Sequence, residues 1–399
     1  MRILLLANSY PTAAVPSGAP YMSARLRTLR AQSGVDVRAL ALRPTYSPAA
    51  RVVRAVARAA SDAALRLAPD AAADGWREAA VRWDASDLVA VRRGRRPERA
   101  IARATRQVVG QAAGEFDIVH AHGMYALPAG EVARRVAAQR GVPFVVSMHG
   151  SDVEEAMAAQ PALAAATLRD AAATTYVSEA LRQRALSLGA PQAASHVIPN
   201  GVDAACFAAG RRPHDLPDRT GHSNEPVLLF VGNLLPVKGA DRLADIVDEV
   251  ARQRPGVRLV VAGDGPERAR LAERLGFRVD LRGRVSPDEV ARLMAEADAL
   301  IVPSRREGWG CVVTESYSVG TPVIASAVGG LPESVLGPEA LVAQEPEGDL
   351  PGRFAQRVIE VLDNPPRADE MAAHVAGASW EAVVERELAV LREAVARRA

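Results

Sequence analysis

Lysine is almost absent from this 399-residue chain. Lys238 is its only lysine, and arginine supplies the other 48 basic side chains. If the chain is simply biased against lysine, Lys238 is present by chance and has no special role. The alternative is a position that needs a compact ammonium, which can sit close to phosphate oxygens where a planar guanidinium cannot. Its setting, in a turn between Gly232 and Gly239 that follows an apolar run, favours the second interpretation.

Cysteines, aromatic residues and long apolar runs are also scarce. Cys206 and Cys311 are the only cysteines, too few for a disulfide framework or a zinc site of the cysteine type. Aromatic residues make up 4% and no nucleic-acid-binding motif appears, so we expect no nucleic-acid partner. No apolar run reaches the ~18–20 residues of a membrane-spanning helix. The short apolar start predicts a strand, not a secretory signal, and a cytoplasmic protein.

Length and composition predict two soluble domains. The chain is too long for one ordinary core, and its 49% hydrophobic and 24% charged residues are typical of a globular protein. Apolar runs alternate with helical segments, which predicts α/β domains with parallel sheets. A polar stretch at residues 210–225 separates two such series. We therefore predict domains at 1–205 and 206–379 with a cleft between them, and a C-terminal helix at 380–399 that packs back on the first domain.

The net charge of +2 hides an asymmetry along the chain. Residues 1–110 carry 19 Arg and 8 acidic residues, a balance of +11, so the remainder carries 2 − 11 = −9. Within the basic part, residues 51–67 have the spacing of an amphipathic helix. Such a helix either packs on its own domain or attaches to an anionic membrane surface or a lipid-linked acceptor. The second interpretation, which stays open, would make the protein peripheral on the inner face of the plasma membrane.

The stretch from Ser304 to Ala325 carries the clearest pattern of functional residues. An apolar strand, residues 299–302, precedes a Glu307-Gly-Trp-Gly turn, a helix that contains Glu315, and a second strand. Unpaired N–H groups at a helix start near Gly310 or Cys311, beside glycines, suit a phosphate. Two carboxylates beside this phosphate-binding position can accept hydrogen bonds from ligand hydroxyl groups. The pattern therefore indicates a nucleotide-sugar ligand.

Polar loops follow other predicted strands, where open α/β sheets bind ligands. The most polar are the loops at 120–123, 149–152 and 199–203. His120 and His122 could suggest a metal, but spacing places no third ligand beside them, so no metal site is predicted. The chain also has no Asp-x-Asp motif, so a metal-bridged diphosphate is not supported.

Taken in order, these motifs resemble those of the retaining glycosyltransferases of family 4, which have the GT-B fold of two facing Rossmann-like domains. In the second half the similar segments are 232–239, 263–266, 304–325 with its two glutamates eight residues apart, and 329–333. In the first half they are 149–152, 177–178 and 199–203. The resemblance is weakest over about residues 11–110.

This resemblance implies a reaction. A sugar would move from a UDP- or GDP-sugar to a sugar, lipid-linked or small-molecule acceptor, with retention of anomeric configuration. The nucleotide sugar would be a co-substrate, so the enzyme would need no cofactor. It would also need no metal. Such reactions build polysaccharides, glycolipids and other glycoconjugates.

The resemblance also implies roles for residues. Lys238 would neutralise the diphosphate, Glu307 would accept a hydrogen bond from a sugar hydroxyl, and His149 would approach the sugar. The remaining donor-binding candidates are Gly232, Asn233, Gly263, Arg284, Val285, Gly308, Trp309, Gly310, Cys311, Val312 and Glu315, of which Glu315 would hold the ribose hydroxyls. The acceptor-side candidates are Gly18, His122 and Asp152. The family often has Arg where this chain has Asn233, which leaves more of the diphosphate charge to Lys238.

Three other functions remain open. A nucleotide-sugar epimerase with the GT-B fold would turn over donor without an acceptor. A phosphorylase would hold pyridoxal phosphate on Lys238 as a Schiff base and would absorb accordingly. A non-catalytic sugar- or membrane-binding module would bind the donor nucleotide without turnover.

Overall fold

The structure, a computed structural model, describes residues 1–15, 19–56, 64–112, 114–209 and 225–397. Residue contacts divide the chain into two compact units, Met1–Pro199 with Glu381–Ala399, and Asn200–Trp380. The first unit thus ends a few residues before the predicted boundary at 205. It also includes the C-terminal segment.

A parallel sheet forms the centre of the first unit. In the described residues its seven strands have the order β3-β2-β1-β4-β5-β6-β7. Leu4, Leu5 and Leu6 of the first strand are fully buried, as expected for a sheet covered on both faces. The strands are β1 Arg2–Ala7, β2 Asp36–Tyr46, β3 Trp76–Trp83, β4 Ile118–His122, β5 Phe144–Met148, β6 Ala173–Tyr176 and β7 Ser195–Val197.

Helices connect these strands. They are α1 Pro20–Ala31, α2 Pro48–Val56, α3 Pro69–Ala73, α4 Ala85–Arg92, α5 Glu98–Gln111, α6 Ala129–Arg140, α7 Pro161–Arg169 and α8 Glu179–Ser187. A π-helix spans Asp152–Met157. Its first residue, Asp152, is the last residue of the predicted polar loop at 149–152.

In its described residues, the second unit contains a six-stranded parallel sheet, in the order β10-β9-β8-β11-β12-β13. Its strands are β8 Val227–Val231, β9 Arg258–Ala262, β10 Val279–Gly283, β11 Ala299–Val302, β12 Val323–Ser326 and β13 Leu341–Val342. The helices are α9 Ala204–Ala209, α10 Leu243–Ala251, α11 Arg268–Leu275, α12 Pro287–Glu296, α13 Cys311–Ser318, α14 Leu331–Ser334, α15 Leu350–Asp363, α16 Ala368–Val375 and α17 Trp380–Ala396, the last of which continues into the first unit. The described part of this unit also contains five short 3-10 turns. The predicted α/β class with parallel sheets is confirmed.

The predicted helix over residues 51–67 is wrong in its bounds. Helix α2 begins earlier, at Pro48, whose fixed φ favours a first helical position. Residues 64–67 are not helical, because the backbone of residues 64–68 hydrogen-bonds with the loop after β1: Ala13 N–H donates to the Arg66 carbonyl over 2.8 Å. Val52, which belongs to the apolar face of that predicted amphipathic helix, is 66% exposed.

Helix α17 packs through a buried apolar face that includes Val383, Val384 and Leu391. On the same helix, Glu387 is buried and accepts a hydrogen bond from Arg25 of α1 over 2.8 Å. In the part of the chain that the structure describes, none of the helices has the length and hydrophobicity of a transmembrane span.

Candidate functional site

Two predicted catalytic residues, Lys238 and Glu307, meet in the second unit. Lys238 ends a 3-10 turn, Pro236–Lys238, and Glu307 lies on the loop between β11 and α13. The Lys238 Nζ lies 2.6 Å from the Glu307 Oε2, and both side chains keep some exposure, 34% and 15%. The chain's only lysine ammonium and an adjacent carboxylate therefore face accessible space together.

The turn that carries Lys238 is packed tightly against the end of β11. Gly239 has a φ of 71°, and a Cβ atom built there would lie 1.9 Å from the carbonyl oxygen of Pro303. The Arg305 N–H also donates to the Val237 carbonyl over 2.9 Å. Only glycine fits this position, which explains the glycine that follows the lysine.

Two arginines that the sequence analysis missed hold these loops together. Arg242 is 5% exposed and donates to the Pro303 carbonyl over 3.0 Å and to Glu347 over 2.7 Å. Arg305 donates to Asp241 over 2.6 Å. The position of these side chains indicates that they orient the Lys238 turn and the Glu307 loop. Sequence spacing alone carried no signal for contacts between residues so far apart.

Helix α13 starts where the sequence predicts, since Gly310, with a φ of 85°, precedes its first residue Cys311. The loop before it is fixed through Glu307, whose carbonyl accepts from the Gly330 N–H over 3.1 Å. Gly329 lies against the same carbonyl, because a Cβ built there would be 2.0 Å from the oxygen. The Gly308–Gly310 segment thus lies on a loop with a fixed backbone.

Glu315 and Cys311 share helix α13 but differ in what they can do. Burial raises the pKa of the Glu315 carboxyl to about 7. In the described part of the chain it has neither a hydrogen bond nor an ion pair, so it can accept a ligand hydroxyl. Burial, with the nearby Glu315 and Glu307 charges, raises the pKa of Cys311 to about 12. The protonated thiol suits packing, not nucleophilic attack.

The other donor-side candidates follow the neighbouring strands β8, β9 and β10. Gly263 bridges to Gly283, and its N–H donates to the Gly283 carbonyl over 2.7 Å. Asn233 and Arg284 are exposed, whereas Val285 and Val312 are partly buried. The Nε1 of Trp309 is buried without a partner in the described structure. These positions therefore lie at the carboxyl edge of one sheet, together with Gly232 after β8 and the loop after β11.

In the first unit, the structure brings His149 together with two other histidines. His149 Nε2 lies 3.0 Å from His122 Nδ1, and His120 Nε2 lies 2.8 Å from the Ser147 hydroxyl. Burial, aided by the nearby positive charge of Arg25, lowers the pKa of both His122 and His149 far below its usual value. The pair is therefore neutral near pH 7.

Asp152 holds the loop that carries His149. Its carboxylate accepts from the N–H groups of His149 and Gly150 over 2.9 and 2.7 Å. Burial raises its pKa to about 6, although those hydrogen bonds oppose the shift. Asp152 and His122 are 0% and 1% exposed, so the structure gives both a supporting role, and acceptor contact by either stays a prediction. Gly18 lies outside the described residues.

One group in the described chain has the ligand types for a metal. His120, His122 and Glu387 place one ligand atom each within 4.8 Å of the others. The sequence placed no third ligand here because Glu387 comes from α17, at the far end of the chain. The charge is balanced without an ion, since Arg25 pairs with Glu387 and His120 Nδ1 lies 3.3 Å from its other oxygen. We therefore assign the group to packing of α17 and not to a metal.

Comparison with known families agrees with the two units. The profile of "Glycosyltransferase Family 4" matches residues 26–205, and that of "Glycosyl transferases group 1" matches residues 225–364. The D-inositol 3-phosphate glycosyltransferase 1 of Catenulispora acidiphila is 34% identical over 71% of this chain and 74% of its own length. The D-inositol 3-phosphate glycosyltransferase of Acidothermus cellulolyticus is 35% identical over 71% and 69%.

Solved structures agree on the fold. Sucrose-phosphate synthase from Thermosynechococcus elongatus has a TM-score of 0.72 at 20% identity and covers 100% of both chains. Anabaena HepE, solved in complex with UDP and glucose, has a TM-score of 0.63 at 17% identity, with 98% of this chain and 100% of HepE covered. The GT-B class is thus confirmed. The chain belongs to glycosyltransferase family 4, and its activity is glycosyl transfer.

Proposed function

We propose that the chain transfers a sugar from a nucleotide diphosphate, with UDP as the favoured nucleotide, to a small hydroxyl-bearing acceptor. The observation that carries this proposal is the contact between Lys238 and Glu307 at the carboxyl edge of the second sheet. A cation beside a carboxylate suits a ligand whose diphosphate is followed by a hydroxyl-rich sugar. The HepE structures contain UDP and UDP-glucose, which supports the choice of nucleotide.

In the proposed reaction, Lys238 stabilises the negative charge that develops on the departing diphosphate. Glu307 accepts a hydrogen bond from a sugar hydroxyl, and Glu315 accepts from the ribose. The acceptor oxygen bonds to the anomeric carbon on the face from which the phosphate oxygen leaves, and the acceptor proton passes to that oxygen. Configuration is therefore retained, and no enzymic nucleophile is needed. We also propose that His149 contacts the sugar.

Because Lys238 supplies the positive charge, we propose that transfer needs no metal ion. The named relatives act on D-inositol 3-phosphate, so this polyol phosphate is the reference against which other hydroxyl-bearing acceptors are compared.

The experiment measures UDP release and glycoside formation from UDP-glucose with wild type, Lys238→Ala and Glu307→Ala. Each variant should lose about 10²–10³-fold in rate. Arg274→Ala is the control, because it removes a basic residue of α11 that pairs with Asp245 and Asp248 away from the site. Unchanged rates in both site variants would refute the proposal. Donor turnover without acceptor would indicate an epimerase, and binding without turnover a binding module.

A further inference from the structure

A cavity in the first unit has no role in the donor site described above. Its volume is about 500 Å³, and it lies at the carboxyl edge of four adjacent strands, β3, β2, β1 and β4. Its walls include Ser9 after β1, Tyr46 of β2, Trp83 of β3 and Leu127 after β4. Open parallel sheets bind ligands at this edge, and the volume is that of a small-molecule site.

Most of the cavity wall is apolar. Leu42, Pro44, Trp83, Leu88 and Val91 face it, with Asn8 and Ser9 among the few neutral polar groups. The Asn8 Oδ1 already accepts from the Ala129 N–H over 3.2 Å, so part of this polarity is used. A polyol in this cavity would leave hydroxyls without partners, at about 1–3 kcal/mol for each buried group. The wall therefore fits a ligand with an apolar body.

The charged groups of the wall have one sign. Arg54 of α2 and Arg92 of α4 line the cavity, and the described lining contains no carboxylate. The Arg54 guanidinium lies 3.8 Å from the centre of the Tyr46 ring, which holds it across one wall. Arg92 is exposed and has no ion pair among the described residues. An anionic group beside the apolar body would complement both arginines.

We propose that this cavity binds the acceptor, and that the acceptor joins an apolar body, aryl or acyl, to a carboxylate or phosphate and also carries the hydroxyl that receives the sugar. This inference rests on the proposed glycosyl transfer. It separates this chain from enzymes whose acceptor is a bare polyol phosphate. Within the arginine-rich residues 1–110, Arg54 and Arg92 are the two arginines that line this cavity.

The test measures binding of four probes to the full chain by calorimetry: 2-naphthoate, 2-naphthol, dodecanoate and myo-inositol 1-phosphate. We expect 2-naphthoate or dodecanoate to bind best, and their ratio distinguishes an aryl from an acyl body. Arg92→Ala should weaken the better acid by about tenfold, the loss of one charge-assisted hydrogen bond, and leave 2-naphthol nearly unchanged. Arg93→Ala is the matched control, because Arg93 is the exposed neighbour outside the lining.

Val91→Trp fills the cavity from a partly exposed position and should abolish binding of the better acid. Equal affinity in Val91→Trp and wild type, or binding of myo-inositol 1-phosphate alone, would overturn the inference. The two proposals fail separately. If Lys238→Ala stops donor turnover while the cavity variants change nothing, only the acceptor inference fails. If the acids bind in the cavity but no nucleotide sugar is turned over, glycosyl transfer fails and with it the acceptor role.

Discussion

At the scale of single residues, environment separates carboxylates that look alike in the sequence. Glu307 contacts an ammonium, whereas Glu315, eight residues later, is partly buried and has no described partner. Spacing could propose both positions as ligand contacts. It could not show that the pKa of Glu315 is raised, since that depends on the packing around α13.

The raised pKa of Glu315 predicts a pH-dependent stability. Its folded-state value of about 7 lies above its ordinary 4.5, so its contribution to stability is present below pH 4.5 and is lost as pH rises through 7. Glu315→Gln stays neutral, so its melting temperature relative to wild type should increase as pH rises from 5 to 8. The expected increase is roughly 2–4 °C for each kcal/mol by which wild type loses free energy of unfolding. Thermal melts at both pH values measure this difference, and an offset independent of pH would contradict it.

At the scale of secondary-structure elements, tight backbone contacts fix the loops that carry the site. The sequence showed glycines 239, 310 and 329 beside functional residues, but not what each one touches. Gly329 lies against the carbonyl of Glu307, and Gly239 against that of Pro303. These are contacts between loops that follow different strands, which only the folded sheet brings together.

Gly329→Ala should therefore lower glycosyl transfer by displacing Glu307. The added Cβ would lie 2.0 Å from the Glu307 carbonyl oxygen, at a φ of 52° that disfavours a side chain. A misplacement of about 1 Å in a catalytic group can cost roughly 10²-fold in rate. Steady-state kinetics with UDP-glucose measure it. Gly377→Ala is the control, because a Cβ there meets nothing within 4 Å. Equal activities in the two variants would contradict the prediction.

A second prediction at this scale concerns the docking of α17. Glu387→Ala would remove the carboxylate that pairs with the buried Arg25, which typically costs about 3–5 kcal/mol, while Arg25→Met with Glu387→Leu should recover most of it. Denaturant unfolding measures both. Glu289→Ala, which breaks an exposed pair with Arg292, should cost at most about 1 kcal/mol. A loss at Glu387 as small as that at Glu289 would argue against a buried structural pair.

At the scale of the whole molecule, the α/β class followed from the sequence because buried parallel strands read as continuous apolar runs. Strand β3 was missed because Arg77, Glu78 and Arg82 interrupt its apolar residues. The bounds of α2 were missed because contacts with the loop after β1 override helical periodicity. Glu387 was missed as a neighbour of His120 because no local pattern links residues so far apart.

Retention of configuration is the prediction that belongs to the complete reaction. No described side chain is assigned as a nucleophile, so a single displacement on the leaving-group face should give a product with the anomeric configuration of the donor. Proton NMR of the product from UDP-α-glucose should show an α-glycoside as the first product formed. A β-glycoside as the first product would contradict the proposed mechanism.

The central claim is that the Lys238–Glu307 site binds the diphosphate of a nucleotide sugar. Calorimetric titration of UDP into wild type, Lys238→Ala and Arg274→Ala tests it most directly. Loss of a charge-assisted contact should weaken binding about 10–100-fold in Lys238→Ala and leave Arg274→Ala like wild type. Equal UDP affinity in all three proteins would contradict the claim.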